Sequence, residues 1–95
     1  NHSGLTTLGP GLQPMGKVRV GRGNNGKDGT EGARHRNALG CYLHGSLLPK
    51  NPALTDWLIA RGLERRNGAV ELQPIDDGIE LKAHATAVER AVATR

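Results

Sequence analysis

Ten of the 14 glycines in this sequence fall within its first 40 residues. Glycine loses more backbone freedom on ordering than any other residue, so it weakens helices and strand interiors alike. The first half is therefore expected to be loop and β-hairpin, with helix confined to the second. Packing material is scarce too: there is no Phe and only one each of Tyr, Trp and Met, so Leu, Val, Ile and Ala must carry it. At 95 residues the chain is at most one small domain, near the lower edge of what buries a self-sufficient core.

Asn1-His2-Ser3-Gly4 opens the chain without Met and without the charged, apolar and small-residue order of a signal peptide. It reads as something that starts in the middle. One cysteine cannot close an internal disulfide, so no oxidising compartment is indicated. No apolar run approaches the roughly 18 residues that a membrane-spanning helix needs, and a soluble cytoplasmic protein is expected. Net charge is +4, with a pI near 9.8. Lys17, Arg19, Arg22, Lys27, Arg34 and Arg36 are diluted by glycine and by Asp28 and Glu31. Aromatic side chains for stacking on bases are nearly absent, so a solvated mixed surface is expected rather than a nucleic-acid interface.

Residues 1–16 form a Gly/Pro-rich lead-in, with a short strand expected at Leu5–Leu8. Lys17-Val18-Arg19-Val20 alternates polar and apolar residues and predicts a half-buried strand. Gly21 to Gly32 contains Asn-Gly, Asp-Gly and closely spaced glycines, which is the chemistry of a long loop. A strand is expected to resume near Ala33–Arg36, and a more apolar one at Ala38–His44. In the latter, Leu39, Cys41 and Leu43 would share one face, with His44 at its end.

Asn51 then has the character of an N-cap, and Pro52 suits the first helical position. Leu54, Trp57 and Leu58 keep helical spacing and are expected to face a sheet. Arg61 continues that stripe to where it reaches water, and Asn67-Gly68 is a stop signal. Residues 69–75 read as a connector or short strand. A second helix is expected from Asp76 or Asp77, with Leu81, Ala85, Val88 and Val92 at helical spacing. Strand, helix and connector in alternation argue for an α/β layer, of which only the tail of a sheet is present.

Several residues carry candidate chemistry. Gly21-Arg22-Gly23-Asn24-Asn25-Gly26 has the letters of a dinucleotide fingerprint, but Gly29 and Gly32 follow where a helix would have to open. An ordinary loop is expected. Cys41 and His44 lack the second paired cluster of a structural zinc site. Cys41, lying mid-strand, is expected to be a small buried core residue rather than a nucleophile. Ser46 has no Gly-x-Ser-x-Gly elbow. His84 reads as a surface or interface residue, and neither His35 nor His2 has an evident partner. His44 stands apart from these. A lone histidine is usually structural, but this one ends an apolar strand and is followed by Gly45 and a loop, where α/β sheets build their sites. Histidine is also the side chain that takes and returns a proton near neutrality.

Gly40-Cys41-Tyr42-Leu43-His44-Gly45-Ser46-Leu47-Leu48-Pro49-Lys50-Asn51-Pro52 resembles the G-T-Y-L-H-G-P-L-L-P-K-N-P segment of CobB/CobQ-like class I glutamine amidotransferases, nearest to their GatD-type branch. Asn1-His2-Ser3-Gly4 is similar to the E-N-H-x-G-x-T segment of that branch. Gly23 to Gly32 is similar to its G-N-N-G-x-D-x-x-E-G loop. The likeness runs from residue 1 to about residue 85.

The resemblance implies an α/β fold, the C-terminal portion of a flavodoxin-like glutaminase domain spanning residues 1–95. It implies that a cysteine thiolate attacks the carboxamide of glutamine while a histidine, here His44, manages the proton and the departing ammonia. The family nucleophile lies on a strand–helix elbow well upstream, and this chain has no such elbow. Cys41 occupies a position where the family usually has Thr, so the chain by itself is expected to be inactive. Many class members carry Glu two residues after the histidine to orient it; here that residue is Ser46, which implies a Cys–His dyad or an orienting group from elsewhere. No cofactor is expected on this chain. GatD-type proteins work with a Mur-ligase-like subunit, MurT, which uses ATP and magnesium to activate the D-glutamate carboxyl of lipid II in peptidoglycan synthesis. Ammonia for that amidation is the leading expectation. The alternatives are a glutaminase domain of cobyric or cobyrinic acid synthesis, a non-catalytic basic module that binds nucleic acid, and a degenerate fragment that folds only against a partner.

Overall fold

A computed structural model of the chain describes residues 3–94. They form two compact units that divide between Leu43 and His44. The unit ending at Leu43 holds four short strands: β1 (Gly16–Lys17), β2 (Thr30–Glu31), β3 (Ala33–His35) and β4 (Ala38–Gly40). The unit beginning at His44 holds a 3₁₀ turn (Leu48–Lys50), α1 (Pro52–Asn67) and α2 (Gly78–Thr94). Short strands and helices together make this a mixed α/β chain, with helix confined to the glycine-poor half as expected.

β1 pairs antiparallel with β2, Gly16 opposite Glu31 and Lys17 opposite Thr30. Reciprocal backbone bonds between Gln13 and Arg34, 3.2 and 2.7 Å, carry the pairing past Gly32. β3 and β4 form a hairpin with Ala33 opposite Gly40 and His35 opposite Ala38. Gly32, between β2 and β3, has φ +70°, and a Cβ there would stand 2.6 Å from the Gly40 carbonyl oxygen. Only glycine fits that junction.

The strands are shorter than their apolar patterns predict, and backbone turns are the reason. No strand forms at Leu5–Leu8; the Thr6 N–H bonds to the Asn24 carbonyl at 2.8 Å instead. The strand expected at Lys17–Val20 ends at Lys17, ahead of Gly21 at φ +105°. β3 stops at His35 because Arg36 turns into the left-handed region, φ 56°. The strand expected to run to His44 stops at Gly40. Its partner begins at Ala33, and the chain before Ala33 turns away at Gly32, so the β3–β4 ladder does not extend to residues 41–44. The inward-facing alternation stops with the ladder, and Cys41 is exposed rather than buried in a core.

In the second unit both helices pack on the 3₁₀ turn. Pro52 opens α1 and Gly68, φ 81°, closes it with its N–H on the Glu64 carbonyl at 2.9 Å. Asn51 does not cap the helix with its side chain. Its amide donates to the Leu47 carbonyl at 2.7 Å, bracing the 3₁₀ turn from within. The Thr55 hydroxyl takes up the Leu48 carbonyl at 2.9 Å. Leu54 and Trp57 are half-buried, and the Arg61 guanidinium lies 5.6 Å from the Trp57 ring centroid while pairing with Glu64 at 2.6 Å. Leu58, expected on the same stripe, is exposed, so the stripe reaches water there, one step before the half-buried Arg61. Residues 69–77 are irregular, with no strand. α2 starts at Gly78, whose N–H bonds to the Asp76 carboxylate at 2.9 Å. His84 on α2 bonds through Nδ1 to the Lys50 carbonyl at 3.0 Å, and since a carbonyl only accepts, Nδ1 carries the proton.

Candidate active site

His44 lies on a stretch without regular structure between β4 and the 3₁₀ turn, and its side chain is exposed. No described residue forms a hydrogen bond or ion pair with it. The chain on either side is firmly held. After it, Gly45 turns with φ 77°, the Leu47 N–H bonds to the Gly45 carbonyl at 2.9 Å, and the 3₁₀ turn follows at once. The hydroxyl of Ser46, in the position where an orienting carboxylate would stand, accepts a hydrogen bond from the Lys50 ammonium at 2.7 Å.

Before His44, Tyr42 is gripped at two points. Its N–H donates to a carboxylate oxygen of Glu31 at 3.1 Å, and its phenol oxygen lies 2.7 Å from the Thr6 hydroxyl. Tyr42 and Glu31 also help to line a cleft of about 400 Å³, in which Arg22 is the cation among the described lining residues. That volume falls in the range of small-molecule sites.

The loop that presents Glu31 is built on Asn24, whose side chain is fully buried. Its amide donates to the Gly32 carbonyl at 2.9 Å and to the Thr30 hydroxyl at 3.1 Å, and its carbonyl accepts the Gly32 N–H at 2.8 Å. Asn25 donates to the Thr6 carbonyl at 3.0 Å and to Asp28 at 2.9 Å. Asp28 in turn accepts the Thr30 hydroxyl at 2.7 Å and the Thr30 N–H at 3.0 Å. The hydroxyl of Thr30 and the amide of Asn25 hold the Asp28 carboxyl below its ordinary value. Reading the sequence as a loop located this segment, but it missed Asn24, Thr6 and Glu31 as its working parts. The loop resemblance, G-N-N-G with E-G at its end, was the signal for Asn24 and Glu31, and the E-N-H-x-G-x-T resemblance, whose Thr falls on Thr6, was the signal for Thr6.

Of the other candidates, His35 is exposed on β3, while His2 and Asn1 lie outside the described residues. Residues 21–26 form no helix at a phosphate-binding turn. Among the described residues no three His, Cys, Asp or Glu side chains gather as a metal site. No described helix is long and apolar enough to cross a membrane.

A family model for the CobB/CobQ-like glutamine amidotransferase domain matches residues 1–52, which takes in the Glu31 loop, Tyr42 and His44. The chain belongs to this amidotransferase family. It is similar to the lipid II isoglutaminyl synthase (glutamine-hydrolyzing) subunit GatD of Staphylococcus aureus (strain N315), 41% identical over 91 residues, or 96% of this chain and 37% of that protein. It is also similar to the subunit of the same name from Streptococcus pneumoniae (strain ATCC BAA-255 / R6), 35% identical over 78 residues, or 81% of this chain and 30% of that protein. The chain thus spans about a third of the length of these two amidotransferase subunits. No solved structure matches it.

Proposed function

We propose that these residues are the histidine-bearing, C-terminal part of a single glutaminase domain that supplies ammonia for amidation of lipid II during peptidoglycan synthesis. His44 is the proton-handling residue. A cysteine thiolate from outside residues 1–95 attacks the carboxamide carbon of glutamine, and ammonia departs with a proton delivered from the imidazolium. Water then hydrolyses the thioester to glutamate. Cys41 takes no part in this scheme.

The observation that carries the reading is the state of His44. It falls inside the family match and inside the segment most like the family's histidine motif, and its imidazole is exposed with no partner among the described residues. A structural histidine would spend its ring nitrogens on neighbours, as His84 does on Lys50. The names of the two relatives support glutamine hydrolysis in lipid II amidation and a subunit role within a larger enzyme. The synthetase partner in this scheme is a MurT-like, Mur-ligase-family subunit. ATP and magnesium act there, in the cytoplasm, and this chain binds neither.

Glutaminase activity of the complete gene product tests the reading directly. His44→Ala should lower kcat by about a thousandfold or more, as expected when a proton-transfer group is deleted from a nucleophile–base pair. Wild-type ammonia release in that variant would make His44 structural and end the proposal.

A further inference from the structure

We infer that Asn67 is a site of spontaneous covalent modification, converting through a succinimide to aspartate and isoaspartate, and that the loop around Asn25 holds off the same chemistry there. The sequence contains two Asn-Gly pairs, Asn25-Gly26 and Asn67-Gly68. Glycine is the following residue that hinders the reaction least, because no side chain shields its backbone nitrogen. That nitrogen gives its proton to hydroxide or water and attacks Cγ of the asparagine. The new N–Cγ bond closes the succinimide ring, the Cγ–Nδ2 bond breaks, and ammonia leaves with a proton from solvent. Water then opens the ring at either carbonyl, so that one water is taken up for each ammonia released.

At Asn25 the groups that must move are held. Nδ2 donates to the Thr6 carbonyl at 3.0 Å and to Asp28 at 2.9 Å, and Oδ1 accepts the Lys27 and Asp28 N–H groups at 2.9 and 3.1 Å. The Gly26 N–H donates to the Arg22 carbonyl at 2.7 Å. Ring closure turns the side chain and the peptide against one another, which breaks these bonds. Asn67 is exposed at the last position of α1, and its side chain bonds to no described residue. Its peptide is restrained by the Gly68 N–H on the Glu64 carbonyl at 2.9 Å, the closing bond of a helix, where fraying costs least. Conversion sets a carboxylate at the negative end of the α1 dipole, and isoaspartate adds a methylene to the backbone where Gly68 closes the helix. The end of α1 therefore loosens as the protein ages.

The complete gene product, aged at mildly alkaline pH and then digested, reports both sites by mass spectrometry. Asn67 should convert at least about tenfold faster than Asn25, the ratio set by the cost of opening the loop against that of fraying the helix. In guanidinium chloride the two rates should become comparable, because structure alone separates them. Asp28→Ala, which removes a partner of Nδ2, should speed Asn25 by about threefold or more and leave Asn67 unchanged. Conversion of Asn25 as fast as that of Asn67 in the folded protein would overturn the inference, and so would an Asn67 that stays intact while the denatured protein converts. A gap that persists in denaturant would make sequence the cause, and an Asn25 rate unmoved by Asp28→Ala would remove the protective role of the loop.

Discussion

Asn24 shows how much one side chain can organise when apolar material is short. It is the sole fully buried side chain among the described residues, and it replaces part of a sheet by bonding both polar groups of Gly32. A buried amide of this kind is stabilising only while donor and acceptor are each matched. Asn24→Asp preserves size but sets a carboxylate oxygen against the Gly32 carbonyl that the amide now donates to. The complete gene product carrying this change should lose about 2–3 kcal/mol in urea unfolding at neutral pH, the usual cost of an unmatched buried polar group. A loss below about 0.5 kcal/mol would show that the network is ornamental. At the same scale, His44 was singled out in the sequence because it sits in a long segment that resembles the family's histidine motif. Its neighbour Cys41 was misread because burial depended on a strand that does not continue.

Among the elements, the 24–30 loop and the start of α2 respond to acid in opposite directions. The Asp28 carboxyl is held below its ordinary value of 3.8, first by the Thr30 hydroxyl and then by Asn25. Its bonds to the loop are therefore fully present above that value and are lost as pH falls through the lower, folded one. The Thr30 amide should exchange normally at pH 5 and lose protection below about pH 3.8, and Asp28→Asn should remove that pH step. An amide unaffected by acid would show that Asp28 does not hold the loop. Asp77 is pushed up, by partial withdrawal from water and then by the Asp56, Glu80 and Asp76 carboxylates. Protonation there relieves repulsion, so the α2 start gains rather than loses as pH falls. The helices themselves were legible from Pro52, Asn67-Gly68 and the acidic pair before α2, since such signals act over a few residues. The cap was not: whether Asn51 bonds forward into α1 or back to Leu47 depends on the 3₁₀ turn, which no local pattern announced.

For the chain taken whole, the decisive quantity is burial. No apolar side chain among the described residues is fully buried, and Ile79, Ile75 and Leu5 are exposed at 83%, 76% and 76%. Apolar burial is the dominant favourable term in folding, and without it the ordering entropy of roughly 1–2 kcal/mol per residue is not offset. Residues 1–95 expressed by themselves should melt over a broad range, with little heat-capacity change, and should bind a hydrophobic dye. The complete gene product should melt cooperatively. A sharp two-state transition of the 95-residue chain would contradict this.

Composition and punctuation alone determined that the glycine-rich half would be hairpin and loop, that helix would open at Pro52 and close at Gly68, and which family the histidine segment resembles. These depend on intrinsic backbone preferences and on residues near one another in sequence. Tertiary structure decided where each strand ends, that Cys41 is exposed, that Asn24 holds Gly32, and that Glu31 and Thr6 bond to Tyr42. Those outcomes turn on partners 8 to 36 residues apart, from Asn24 and Gly32 to Thr6 and Tyr42. No local propensity encodes whether a backbone N–H at that distance finds a neighbouring strand, a carboxylate or water.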